Sequence, residues 1–317
     1  MKPKTTMANL ENCTSTLKLN TGASIPQVGL GTWRSLENEG YVSVAEALKD
    51  GYKHIDGAAI YGNESQVGMA IKDSGIPRDK IFLTTKLWST QHRDPSQALE
   101  DSLERLGVDY VDLYLMHWPL ALKTDTIKDG NLLTIPEKPD GKGRDVDLSW
   151  NFVKTWELMQ KLLDTGKVKA IGVSNFSVNN LKELLAASTT KVTPAVNQVE
   201  LHPLLPQTEL VQWCKQNGIV IEAYSPLGGQ AAPILSNPVV QKIAQSHGVD
   251  SANVVISWGV QKGLVVLPKS VTPKRIKSNL KVLQLNASDI SAIDGLAKAN
   301  GEKRTCAPDW SPFPIFQ

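Results

Sequence analysis

Eight short apolar runs, each followed by a segment of helical period, predict an α/β protein built as a (β/α)8 TIM barrel. Two further observations agree with that class. A hairpin-like stretch precedes the first run and is placed to plug the bottom of a larger sheet, and the chemistry-bearing side chains gather at the carboxyl ends of the early runs, where a parallel barrel places its working groups.

The elements follow in chain order. Residues 1–15 are polar and read as a flexible N-terminal arm, leaving 16–317 as a single domain. Leu17-Lys-Leu-Asn-Thr-Gly-Ala-Ser-Ile25 alternates about an Asn-Thr-Gly turn and reads as a β-hairpin. The strand candidates are Val28–Leu30, Lys53–Asp56, Ile81–Lys86, Val111–His117, Val168–Ser174, Ala195–Glu200, Val220–Tyr224 and Val265–Leu267. Helical spacing separates them. Leu99, Leu103 and Leu106 follow Asp94 as N-cap and Pro95 at the first helical position, with Gly107 as the stop. Phe152, Trp156, Met159 and Leu163 precede Gly166; Leu181, Leu184 and Leu185 follow Ser177; Val240, Ile243 and Ala244 follow Asn237-Pro238. The stretch Leu120–Leu148 has proline, glycine and mixed charge without a period, so it reads as a long loop over the carboxyl face.

An open doubly wound sheet is the rival architecture. Gly29-Leu-Gly-Thr-Trp-Arg34 supplies two glycines of a dinucleotide fingerprint, but Arg34 stands where the third would let a helix pack against its strand, which argues against that fold.

Composition narrows the function. A chain of 317 residues with 41% hydrophobic and 21% charged residues is globular, and a formal charge of +2 without charge runs offers no footprint for nucleic acid or a membrane surface. No apolar run approaches the roughly 20 residues of a membrane span. Three cysteines, Cys13, Cys214 and Cys306, are odd in number and far apart, which fits free thiols and a cytoplasmic setting. The expected partner is a small molecule, and the absence of an extended apolar seam predicts a monomer.

The central stretch is His54-Ile-Asp-Gly-Ala-Ala-Ile-Tyr-Gly-Asn-Glu64, which carries Asp56 at a strand end and Tyr61 shortly after it. A phenol is an effective acid near neutrality when a neighbour offsets its solution pKa of about 10, and an ammonium paired to a carboxylate is such a neighbour. Lys86 and His117 end the next two strands. Each has an ordinary explanation when taken alone: a solvated lysine, a capping aspartate, a packing tyrosine, a satisfied histidine. Their placement on three consecutive βα junctions favours one site. The five histidines show no ligand spacing and no accompanying acidic or cysteine cluster, so no metal is expected.

The ordered stretches Gly51–Glu64, Thr84–Trp88, Val111–Pro119, Gly166–Phe176, Asn197–Pro203, Tyr224–Gly228 and Leu267–Thr272 together resemble the aldo-keto reductases, from about Leu17 to Phe316. Trp156-Glu-Leu-Met159 and Gly301-Glu-Lys-Arg304 make the chain most similar to the fungal branch of NADP-dependent glycerol 2-dehydrogenases and general aldehyde reductases. The resemblance implies reversible reduction of aldehydes and ketones by NADPH/NADP+, with Tyr61 as general acid, Lys86 lowering its pKa while paired to Asp56, and His117 orienting the carbonyl. It implies cofactor contacts from Thr32, Trp33, Ser174, Asn175, Gln198, Tyr224, Ser225, Leu227, Lys269, Ser270, Val271, Thr272, Arg275 and Asn279. Lys269, Ser270 and Arg275 suit a 2′-phosphate. Trp33, Trp88, His117, Trp118 and Trp310 are expected to line the substrate cleft, with residues 300–317 as a C-terminal substrate loop. The chain departs from many relatives at Gly229 and Ala231, where a serine and an acidic residue latch the loop over the pyrophosphate, so a looser loop and faster cofactor release are expected.

Three rival readings are weaker. Glu200 and Glu222 could be paired glycosidase carboxylates, Lys86 a Schiff-base nucleophile, or the chain a non-catalytic cofactor sensor.

Overall fold

The computed structural model describes residues 9–229 and 233–317. Its first strands lie outside the barrel: β1 (Glu11–Asn12), then β2 (Thr16–Lys18) and β3 (Ser24–Pro26), which pair as an antiparallel hairpin with Leu17 opposite Ile25. The barrel strands follow as β4 (Leu30–Gly31), β5 (His54–Asp56), β6 (Phe82–Leu87), β7 (Val111–Met116), β8 (Val168–Ser174), β9 (Val196–Glu200), β10 (Val220–Tyr224) and β11 (Val265–Leu267). These eight pair in strict sequence order, and every pairing is parallel. The two ends meet through a parallel bridge between Val28 and Val266, supported by Gly29 N–H donating to the Val266 carbonyl at 3.0 Å and Val266 N–H donating to the Gln27 carbonyl at 2.7 Å.

Helices α1 (Glu39–Asp50), α2 (Glu64–Asp73), α3 (Pro95–Leu106), α4 (Phe152–Gln160), α5 (Val178–Ala186) and α6 (Thr208–Gln216) separate the strands; α7 (Pro238–His247) and α8 (Ser251–Gln261) precede β11, and α9 (Pro273–Asn279) follows it. Local chemistry sets their ends as expected. Asp94 accepts from Gln97 N–H to cap α3, Ser177 and Asn180 form a capping box on α5, Asn237 caps α7, and Gly107 closes α3 in the left-handed conformation.

Side chains of one parity on each strand turn into the bore. Phe82, Leu113, Leu115, Ala170, Val196, Val265 and Leu267 pack there against Leu19 and Ile25 of the hairpin, which therefore closes the bottom of the barrel. The other parity packs outward against the helices in one continuous core that includes Leu83, Leu87, Tyr114, Ile171 and Trp156. Gly29 serves this packing: a Cβ on it would lie 2.8 Å from the His54 ring and from Leu267, so the apparent dinucleotide glycine is a requirement of barrel closure.

One expectation is corrected. Part of the proposed arm is docked: β1 pairs antiparallel with β12 (Lys281–Val282), and Cys13 N–H donates to the Leu280 carbonyl at 2.8 Å. Backbone pairing across the chain's two ends is invisible to composition. Residues 1–8 and Ala231 lie outside the described residues.

Candidate active site

Three consecutive strands deliver the titratable groups. Asp56 ends β5, Lys86 is the fifth of the six residues of β6, and His117 directly follows β7. Tyr61 closes the 3-10 turn Ala59–Tyr61, held by Gly62 in the left-handed conformation. Because Phe82, Thr84 and Lys86 share parity, Lys86 points up the bore, and it is among the largest fully buried side chains of the molecule.

The Lys86 ammonium donates to Asp56 Oδ1 at 2.9 Å, Asp56 Oδ2 at 2.8 Å, the Gly57 carbonyl at 2.7 Å and the Tyr61 hydroxyl at 3.5 Å. Three N–H bonds shared among four oxygens leave the phenol contact the longest. The expectation that Lys86 brings Tyr61 below its solution value is corrected: burial is the largest influence and pushes the phenol up, Lys86 pulls it down, Asp56 pushes it up again, and the net direction is above 10.0. A phenol so placed stays protonated at neutral pH and has a proton to give. For Lys86, burial disfavours the charge, but Asp56 and Tyr61 together outweigh it and raise the ammonium above 10.5. An amine held charged is no Schiff-base nucleophile.

His117 stands edge-on to Tyr61, with ring centroids 5.8 Å apart, and to Trp88 at 5.4 Å. Burial, then the fields of Lys86 and His92, hold it well below 6.5, so the imidazole is neutral and can donate a hydrogen bond without carrying charge.

A second polar layer lies beneath. Gln198 Nε2 donates to Asp56 Oδ1 at 2.7 Å and to Glu222 Oε2 at 3.0 Å, and Glu222 Oε1 lies 3.5 Å from His54 Nε2. Burial, reinforced by Asp56, pushes Glu222 up to about 8, while burial lowers His54 to about 4. The ion pair thus rests on a layer whose burial disfavours charge on both groups.

Residues 27–298 match the Aldo/keto reductase family.

The chain belongs to the aldo/keto reductase family.

It is 61% identical over 311 residues to the glycerol 2-dehydrogenase (NADP(+)) of Saccharomyces cerevisiae, covering 98% of this chain and 99% of that one. It is 60% identical over 311 residues to aldehyde reductase YPR1 of the same yeast, with the same coverage. Among solved structures, the aldose reductase of Schistosoma japonicum superposes with a TM-score of 0.84 at 36% identity, covering 92% of this chain and 94% of that one. The chain is therefore an oxidoreductase of this family.

Around the reductase's bore mouth, the expected cofactor residues fall into two groups. Ser174 Oγ donates to the Gln198 carbonyl at 2.8 Å, Asn175 Nδ2 to the His117 carbonyl at 3.0 Å, and the Tyr224 hydroxyl to Asn175 Oδ1 at 2.8 Å. These bonds hold Tyr224 half-buried at the end of β10, its ring suited to stacking. Gln198 turns its Nε2 onto Asp56 and Glu222. Thr32 is likewise buried and donates to the Asp56 carbonyl at 2.9 Å. Ser225 and Leu227 lie in the turn after β10, where Ser225 takes a positive φ of 47° and its carbonyl accepts from Gly228 N–H.

The second group follows β11. Lys269 and Arg275 are exposed, Ser270 and Asn279 buried, Val271 half-buried, and Thr272 stands at the N-cap position of α9 without a side-chain cap bond, its N–H donating to Ser270 Oγ at 3.1 Å. Among the described residues neither Lys269 nor Arg275 has a carboxylate within 4.0 Å. Cations left unpaired beside a hydroxyl fit a phosphate-bearing cofactor.

Trp88, Trp118 and Trp310 form one apolar cluster with Leu120, Leu122 and Val146 of the long loop, joined by Cys306, Phe313 and Phe316 of the tail. Trp33 is no member of it; the ring is 47% exposed, with the Arg34 guanidinium 4.5 Å from its centroid. What fixes the tail is not announced by the sequence. Glu200 accepts from His202 Nε2 at 3.0 Å and from Thr305 N–H, Thr305 Oγ1 and Cys306 N–H at 2.7 Å each. Burial pushes this carboxyl up, but those bonds outweigh it and carry it down to about 2. Glu200 and Glu222 are both wholly buried, which removes the glycosidase reading, where two carboxyls must flank a sugar.

Proposed function

We propose that this chain is an NADPH-dependent reductase of aldehydes and ketones in which Tyr61 gives the proton and His117 aims the carbonyl. The supporting observation is the Lys86 ammonium, which touches the Asp56 carboxylate and the Tyr61 hydroxyl at once, in a site that excludes water from Lys86 entirely. When bound, NADPH supplies the hydride. Tyr224, Ser174 and Asn175 would hold its nicotinamide, Lys269, Ser270 and Arg275 its 2′-phosphate, and Asn279 its adenine. As charge develops on the carbonyl oxygen, Tyr61 passes its proton there; Lys86 then stabilises the tyrosinate at short range in a low-dielectric pocket. The neutral His117 donates to the same oxygen. In reverse, the tyrosinate takes the proton of an alcohol, so oxidation should gain with rising pH.

The yeast relatives' names support NADP(H) and both directions, an aldehyde reductase and a dehydrogenase of a polyol. We read the protein as a cytoplasmic monomer, on the lack of an extended apolar seam in the sequence and the free thiols of its cysteines. We also read the chain from β1 to residue 317 as one domain including the substrate loop 300–317. The test is NADPH consumption with an aromatic aldehyde, followed by Arg275→Ala. Arg275→Ala should weaken NADPH by about 10-fold or more and leave NADH little changed, the loss of a charge-assisted phosphate contact. Equal losses for the two cofactors would remove the 2′-phosphate assignment.

A further inference from the structure

Glu222 of β10 and His54 of β5 are wholly buried, and their contacts fix where a proton must sit. His54 Nδ1 lies 3.2 Å from the Pro26 carbonyl, which can only accept, so Nδ1 carries the ring hydrogen. The neutral imidazole then turns a bare lone pair at Nε2 toward Glu222 Oε1, 3.5 Å away. Glu222 Oε2 accepts from Gln198 Nε2 at 3.0 Å, whereas Oε1 has no donor among the described residues. The Thr84 hydroxyl stands 3.4 Å from His54 Nε2 and can serve the nitrogen, but it makes no bond to Oε1. Two acceptors facing each other away from water repel, and a buried carboxylate oxygen without a donor is costly. One proton held between Oε1 and Nε2 removes both faults.

The surroundings decide which partner holds it. Asp56 of β5 is the neighbouring anion, joined to Glu222 through the Gln198 amide of β9, which donates to Asp56 Oδ1 at 2.7 Å as well. Lys86 of β6 is committed to Asp56, the Gly57 carbonyl and Tyr61, and among the described residues no lysine or arginine nitrogen lies within 4.0 Å of Glu222. On the other side β11 sets Val265 in register with it. Burial, then the Asp56 field, push Glu222 up to about 8 against the pull of Gln198 and Lys86, and burial carries His54 down to about 4. A neutral acid donating to a neutral imidazole therefore describes the pair near neutrality.

We propose that Glu222 is a positioning residue for carbonyl reduction: it works as an un-ionised carboxylic acid, its Oε1–H donating to His54 Nε2, and so keeps a second anion out of the layer beneath the Lys86–Asp56 pair. The proton stays on Glu222 throughout, and no bond to substrate is involved. With that layer neutral, Lys86 answers to Asp56 and to the tyrosinate that Tyr61 becomes once it has given its proton. The field of Glu222 reaches Lys86. Ionised, Glu222 would compete for the same ammonium and raise the energy of the tyrosinate, so reduction slows when its proton is lost. This rests on the reading of the site as a carbonyl reductase.

Infrared spectroscopy of the wild type reads the proton without any substitution. The carbonyl band of a buried un-ionised carboxylic acid should be present at about pH 6 and gone by about pH 10, and Glu222→Gln should lack it throughout. Single-turnover reduction of an aromatic aldehyde by bound NADPH, followed by stopped flow, gives the second readout. The wild-type rate should fall on the order of 10-fold between about pH 7 and about pH 9. In Glu222→Gln, whose amide can accept from Gln198 and donate to His54 Nε2 as the acid does, that fall should move up by roughly one pH unit or more, toward the titration of Tyr61. A decline with the same midpoint in both proteins, or a wild-type rate that is flat over this range, would overturn the proposal. So would a wild type without the acid band at about pH 6, which would put the proton on His54 or on neither group; should glutamine disturb folding, this band decides alone. Turnover of no aldehyde at any pH would instead remove the carbonyl-reductase reading, while the band would still report the proton.

Discussion

Glu200→Gln isolates the bond between barrel and tail. The carboxylate ends β9 and receives four hydrogen bonds, three of them from Thr305 and Cys306, more than 100 residues away. A carboxyl carried from 4.5 to about 2 contributes roughly 3 kcal/mol to folding at neutral pH. The sign follows from the depressed value: the contribution is fully present above 4.5 and is lost as pH falls toward 2. Glutamine keeps the shape but turns an NH2 toward N–H donors, so urea unfolding at pH 6 should show a loss of about 2–3 kcal/mol. The gap between wild type and variant should shrink by roughly half by pH 3. Loosening of the tail should also displace Trp310 and raise KM for carbonyl substrates more than it lowers kcat. A stability gap that stays constant from pH 6 to pH 3 would refute the reasoning, because the loss would then not come from the charge of the carboxylate.

Two further substitutions probe the ion pair and the loop. Lys86→Met should abolish turnover and, by leaving Asp56 buried without its counter-ion, cost about 3–5 kcal/mol in chemical denaturation; adding Asp56→Asn should recover stability but no activity. Gly229→Ser, the residue many relatives carry, should cost about 1–3 kcal/mol from the positive φ of 69° alone. The new Cβ would also lie 2.9 Å from Thr305 Oγ1, so cofactor release measured by stopped flow should quicken as the tail is disturbed, and slower release would contradict this.

That a side chain at Gly229 would meet Thr305 of the tail is not announced by the sequence. The chain's rhythm of strand and helix, with caps such as Asp94 and Ser177, was enough to place eight strands, because those signals are local. It was also enough to put Asp56, Lys86 and His117 at neighbouring strand ends, since parity and strand order alone locate them. What lay beyond it depends on distant pairing. Nothing near Glu200 in sequence announces Thr305, and nothing near Gln198 says whether its amide turns up toward a cofactor or down onto Asp56 and Glu222. The direction of the Tyr61 shift was likewise illegible, because burial, its largest cause, is a property of the assembled site. Trp33 follows a strand just as Trp88 does, yet only Trp88 meets the tail that completes the aromatic wall.

Tyr61 as the proton donor is the central assignment. Tyr61→Phe removes one hydroxyl and leaves the ring, and NADPH titration by protein fluorescence alongside steady-state kcat separates binding from chemistry. The predicted result is NADPH affinity close to wild type with kcat reduced by at least about 100- to 10,000-fold, the usual worth of a positioned general acid. A Tyr61→Phe variant that reduces aldehydes at the wild-type rate would contradict it.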